Sequence, residues 1–208
     1  MHEKYECLVP SPQSLVPVPS PQSPDIMAEL LITPSQTIGP FFAHGLRWKD
    51  GAVLFPDSAP GRHIRLGGAV IDGTGRTVPD SLLEFWQADA DGKFAGPRDA
   101  TCSGFGRVMT DREGRYEIET VMPGAVPGAD GRPQAPHILV VVFARGLLKQ
   151  VVTRVYFEGE SANAADPVLA ACGARAQTLV AGRDASDAGI FHWDIVLQGA
   201  KETVFFET

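Results

Sequence analysis

His137-Ile138-Leu139-Val140-Val141-Val142-Phe143-Ala144-Arg145-Gly146-Leu147-Leu148-Lys149-Gln150-Val151-Val152-Thr153-Arg154-Val155-Tyr156-Phe157 decides how this chain folds. It reads as two longer strands, His137 to Arg145 and Gln150 to Phe157, joined by a tight turn at Gly146. Working outward, Ile64 to Ile71 is a strand closed by Asp72-Gly73-Thr74-Gly75, and Leu82 to Gln87 precedes a turn at Asp89-Ala90-Asp91-Gly92. Gly106 to Thr110 and Arg115 to Thr120 flank Asp111-Arg112-Glu113-Gly114, a hairpin signal. Phe191 to Leu197 and Val204 to Phe206 complete the strands, and Pro167 to Cys172 reads as one short helix. Many short strands with regular turns predict an all-β protein, a β-sandwich with short helices and long loops.

At 208 residues, with 44 % hydrophobic content, the chain can bury one sizeable core. A net charge of −7 argues against sequence-independent nucleic-acid binding, which needs a basic surface to displace phosphate counterions. No apolar run approaches the roughly 18 residues a membrane helix requires. The cysteines Cys7, Cys102 and Cys172 are odd in number and widely spaced, which fits a reducing cytoplasm rather than a disulfide framework. Residues 1–26 differ from the rest: Pro10, Pro12, Pro17, Pro19, Pro21 and Pro24 interleave with serine and glutamine. That composition favours extended, solvated chain, a disordered tail or a start-codon artefact ahead of Met27, with the domain at 27–208.

Several small motifs carry little chemistry. Asp89-x-Asp91-Gly92 lacks the closing glutamate of a calcium loop and reads as an ordinary turn. Trp86 and Trp193 lie in strand-like runs and are expected in the core, and His44, His63 and His192 have no neighbour at metal-ligand spacing.

Four stretches taken in order resemble the intradiol ring-cleaving dioxygenases. They are Thr33-Pro34-Ser35-Gln36-Thr37-Ile38-Gly39-Pro40-Phe41-Phe42, Leu83-Glu84-Phe85-Trp86-Gln87-Ala88-Asp89, Ala135-Pro136-His137-Ile138 and Thr153-Arg154-Val155-Tyr156-Phe157. The ending Glu202-Thr203-Val204-Phe205-Phe206 narrows the match to the alpha type among the two-chain members, from about Thr33 to Thr208.

The resemblance implies a prealbumin-like β-sandwich and a ferric iron, Fe(III), bound by two tyrosines and two histidines. Two histidines at i and i+2 on a strand share a face and suit one metal. Here the second position is Leu139, leaving His137 as a relict ligand. The resemblance places one tyrosine ligand where this chain has Val126, in Pro123-Gly124-Ala125-Val126-Pro127, and the other within Gly92 to Gly106, which holds no tyrosine. An arginine of the catalytic type corresponds to Gln134. The chain's three tyrosines are Tyr5 in the tail and Tyr116 and Tyr156 in strand-like runs. One imidazole cannot hold a ferric ion that needs several anionic or imidazole donors. The resemblance therefore implies that a paralogous beta chain holds the iron and that this chain is inactive alone.

It also implies a working site at the alpha–beta interface, in a larger assembly of alpha–beta pairs acting on O₂ and a small aromatic substrate that carries a carboxylate. Thr37, Gly39 and Pro40 match a loop lining the partner's substrate pocket, and Arg145 matches an arginine receiving the carboxylate. Counted along its strand, Arg145 lies roughly 26 Å from His137, too far to serve a metal at the relict position. Two alternatives stand beside this reading. One is a non-enzymatic prealbumin-like binding module, which lacks the stretches Thr33 to Pro40 and Thr153 to Phe157. The other is an active single-chain enzyme, which would need three ligands that are missing here.

Overall fold

The computed structural model describes residues 45–95, 104–128 and 131–207. Eleven strands form among them: β1 His63–Ile71, β2 Leu82–Trp86, β3 Phe105–Met109, β4 Arg115–Val121, β5 Val126–Pro127, β6 Pro133–Gln134, β7 His137–Phe143, β8 Val151–Phe157, β9 Val180–Arg183, β10 Ile190–His192 and β11 Ile195–Val196. The helix α1, Pro167–Cys172, is flanked by 3₁₀ turns at Ser161–Ala165 and Gly173–Leu179. No helix among the described residues is long and apolar enough to cross a membrane.

The fold is mainly β, as expected, but its hydrogen-bonded strands are continuous. Nine strands form one mixed sheet in the order β11-β1-β10-β9-β8-β7-β2-β3, with β4 paired to β1. The link is β9, antiparallel to β10 and parallel to β8. Burial alternates with period two along β4 and β7, as strands with one covered face require. Leu66 and Ile118 from one half meet Leu83, Phe85, Ile138, Val140 and Val155 from the other in a single cluster. Ala135, Tyr156, Leu169 and Leu179 form a second, smaller cluster where α1 covers β8.

Several expectations are corrected. The segment Asp111 to Gly114 closes a turn, with Gly114 N–H donating to the Asp111 carbonyl, but not a hairpin. β3 pairs with β2 while β4 pairs with β1, so the chain passes from one half of the sheet to the other. The run Phe191 to Leu197 splits into β10 and β11 at Trp193-Asp194, because the Asp194 carboxylate accepts the Ala69 N–H (2.9 Å) in place of a backbone carbonyl. Val204 to Phe206 makes one isolated bridge, Phe206 to Val152, rather than a strand. β7 ends at Phe143, two residues before Arg145. Trp193 is buried, whereas Trp86 is half-exposed and packs against Phe94 and Phe105.

Candidate functional site

Strand register assembles the region around His137. Antiparallel pairing sets His137 opposite Tyr156, Leu139 opposite Arg154 and, on the other side of β7, Leu139 opposite Trp86. The short ribbon of β5 and β6 sets Val126 opposite Gln134. Gln134 then accepts a hydrogen bond from Arg154 Nη1 at 2.9 Å. His137 and Leu139 thus lie on the face of β7 that points away from the main core, and Gln134, with Val126 as its strand partner, joins that face through Arg154.

His137 Nδ1 lies 2.8 Å from the Ala135 carbonyl oxygen, and its ring packs 5.5 Å from that of Tyr156. Burial pushes the His137 pKa down, only partly offset by the Ala135 carbonyl, and the Arg154 charge pushes the same way. Tyr156 donates to Asp166 Oδ1 at 3.2 Å, and burial raises its phenol to about 12. Asp166, itself buried, is fully engaged. Its Oδ1 also accepts the N–H groups of Val168 and Leu169 as the N-cap of α1, and Oδ2 accepts the Ala135 N–H at 2.7 Å. The Asp166-Pro167 sequence is the local signal for this cap, since proline suits the first helical position.

Arg154 and Asp166 are the two residues here that sequence reasoning missed. Nothing local marks Arg154. Its importance comes from cross-strand register with Leu139 and from the Phe206 ring, which lies 5.8 Å from its guanidinium carbon. Beside it, Gln134, Cys172, Val204 and Phe206 line an open groove of about 690 Å³.

Arg145 stands apart from this region. It sits in the turn between β7 and β8, exposed, with the Leu147 N–H donating to the Ala144 carbonyl at 3.2 Å. Gly146 follows at φ +89°, the third-position geometry of a type II turn and one that glycine reaches without strain. Among the described residues no hydrogen bond or ion pair holds the Arg145 guanidinium. Leu148, just beyond, is 63 % exposed. Thr37, Gly39 and Pro40 lie outside the described residues, as does the 1–26 extension.

A family model described as "Dioxygenase" matches residues 37–199. The chain is 45 % identical over 200 residues to the protocatechuate 3,4-dioxygenase alpha chain of Burkholderia cepacia, covering 87 % of this chain and all of that one. It is 34 % identical to the beta chain from the same organism, over 69 % of this chain and 67 % of that one. Among solved structures, the dioxygenase domain of a carbohydrate-binding fusion protein from Streptomyces sp. SirexAA-E superposes with a TM-score of 0.58 at 27 % identity, covering 72 % of this chain and 88 % of that one. These matches leave the binding-module alternative without support.

The residues around His137 do not fit a ferric centre. No group of three or more histidine, cysteine or acidic side chains gathers for a metal among the described residues. The nearest oxygen donors are committed: Asp166 to three backbone N–H groups, and the Tyr156 phenol to Asp166. Val126 and Leu139 offer no lone pair, and Arg154 brings a fixed positive charge.

Proposed function

We propose, from the premise that the chain belongs to the intradiol ring-cleaving dioxygenase family, that it works as the alpha chain of a protocatechuate 3,4-dioxygenase. In that role it pairs with a paralogous beta chain that holds the ferric iron. The complex opens protocatechuate with O₂ to 3-carboxy-cis,cis-muconate in aromatic catabolism, the β-ketoadipate pathway. The observation that carries the reading is a full-length alpha-chain match on a chain whose would-be ligand positions hold Val126 and Leu139. We place the protein in the cytoplasm, on a prealbumin-like sandwich, assembled as several alpha–beta pairs.

This chain's own contribution is to close and select. Arg145 offers a permanent, forked cation at an exposed turn, free to receive the substrate carboxylate in the partner's pocket. Thr37, Gly39 and Pro40 line the same pocket, with Gly39 allowing close backbone approach and Pro40 stiffening the loop. An arginine that binds ground and transition states alike lowers KM without raising kcat. Arg145→Ala in the co-expressed complex should therefore raise KM for protocatechuate by about tenfold or more, with a smaller change in kcat. An unchanged KM would remove Arg145 from the site.

The broader test compares the chain purified alone with the co-expressed complex, reading iron content, visible absorbance and oxygen uptake on protocatechuate. Colourless and inactive alone, but coloured and active together, is the expected outcome. Iron and colour in the solitary chain would overturn the assignment.

A further inference from the structure

The open groove of about 690 Å³ is lined by α1 and by the C-terminal segment that bridges to β8, and its size is that of a small-molecule site. Its lining is mostly apolar: Pro167, Val168 and Ala171 from α1, Val204 and Phe206 from the C-terminal segment. Gln134 and Arg175 are the polar exceptions. Arg175 is anchored upstream on that segment, donating to the Glu202 and Thr203 carbonyls and pairing with the Glu202 carboxylate at 3.2 Å. Arg154 is held downstream by two residues of the lining, with Nη1 2.9 Å from the Gln134 oxygen and its guanidinium carbon 5.8 Å from the Phe206 ring. Burial raises the Cys172 thiol in the same lining, and the charges of Arg175 and Arg154 both act against it, so both cations are felt at the groove. Arg175 is answered by Glu202, but among the described residues no carboxylate forms an ion pair with Arg154. The nearby Asp166 directs its oxygens to Ala135, Val168, Leu169 and Tyr156. A half-buried guanidinium cannot shed its charge by losing a proton, and it carries more N–H donors than Gln134 and the Tyr156 hydroxyl take up.

We infer that this groove binds a small aromatic carboxylate, whose anionic end pairs with Arg154 while its ring lies against the apolar lining. Charge complementarity selects the class. A neutral apolar ligand would leave the guanidinium unanswered, and a polyanion would find no second open cation, because Arg175 is committed to Glu202. A single carboxylate on a flat apolar body meets both demands of the lining. The groove is open, so the affinity is modest, with Kd on the order of 1 mM for a ligand of about ten heavy atoms. The inference goes beyond the alpha-chain reading, since it involves neither iron nor Arg145.

Cys172 is a free thiol in the lining and gives a readout confined to the groove. The complex co-expressed with the beta chain is treated with iodoacetamide at mildly alkaline pH, and alkylation of Cys172 is followed by peptide mass spectrometry. Benzoate, or its neutral analogue benzamide, is added at constant ionic strength. Benzoate should slow the alkylation with half-protection at about 1 mM, and benzamide at the same concentrations should not. Arg154→Gln should weaken the protection by about tenfold or more, while Arg154→Lys keeps part of it, because the charge persists without the fork. Arg154→Met serves in place of Arg154→Gln if that complex does not assemble. Arg145→Ala should leave the protection intact, so this inference and the role of Arg145 fail separately. No protection by benzoate, equal protection by benzamide, or undiminished protection in an assembled glutamine or methionine variant would overturn the inference. Loss of protection in Arg145→Ala would do the same, by placing the benzoate in the partner's pocket. So would a Cys172 that stays unlabelled without benzoate, because another chain would then already cover the groove.

Discussion

Asp166 offers the sharpest test of how the region around His137 is held together. Replacing it with alanine removes four hydrogen bonds at once, to Ala135 N, Val168 N, Leu169 N and the Tyr156 hydroxyl. Loss of the helix cap costs about 1 kcal/mol. The Ala135 N–H is buried and would lose its partner, for about 2 kcal/mol, and the longer Tyr156 bond adds about 1 kcal/mol. The sum is about 4 kcal/mol, lessened slightly because a buried charge is also removed. For a domain of this size that amounts to a fall in Tm of roughly 8–16 °C. Asp166→Asn keeps a carbonyl oxygen for the cap and sets an amide N–H against another donor, so it should fall between parent and alanine variant. Thermal unfolding of the co-expressed complex, followed by circular dichroism at matched concentration, reads the shift. An alanine variant melting within about 2 °C of the parent would refute the reasoning, because it would mean Asp166 does not join Ala135, α1 and β8.

Three further outcomes follow from the same structure. Tyr156 is raised by burial to about 12, so the folded state holds its proton more tightly than the unfolded chain does, and stability should fall as pH rises from 10 towards 12. Tyr156→Phe should flatten that alkaline limb in urea titrations, leaving the parts due to Tyr116 and Cys172, both of which burial also raises. Asp184 is lowered to about 2, chiefly by the Ser186 hydroxyl and N–H and then by His192. Its stabilisation is present above about pH 4 and lost as pH falls through 2, so an Asp184→Asn variant should show a shallower acid limb than the parent. Gly68 lies against the Trp193 carbonyl where β1 meets β10, and an added Cβ would collide with that backbone. Gly68→Ala should cost about 3 kcal/mol or more, and a complex of parental Tm would show that the strands can part there without penalty.

Short apolar and β-branched runs between turn signals made most of the strands legible. β1, β2, β4, β7 and β8 lie within two residues of where those runs place them, and α1 spans Pro167 to Cys172 as expected. β9 was not legible, because Val180-Ala181-Gly182-Arg183 is short, has two exposed members and no alternating run. The turn from Asp111 to Gly114 has hairpin chemistry, yet its strands go to different partners, since turn residues set the local bend and not the choice of neighbour. In the candidate site, Val126, Gln134, His137 and Leu139 could be read from motif positions. Arg154 could not, because its partner Gln134 lies 20 residues away, and although Asp166-Pro167 marks a helix cap locally, the tie from Asp166 to Ala135 spans 31 residues.

Residue types alone determined that this chain is mainly β, that it belongs with the dioxygenases, and that Val126 and Leu139 offer a metal nothing. Those properties are local: side-chain chemistry and alternation do not depend on what a strand pairs with. Tertiary structure decided that β9 joins the two halves of the sheet, that Arg145 leaves its strand for an exposed turn, and that Arg154 faces Leu139 beneath Phe206. Those are matters of register, and register is set by how two whole faces bury together, which no single segment specifies.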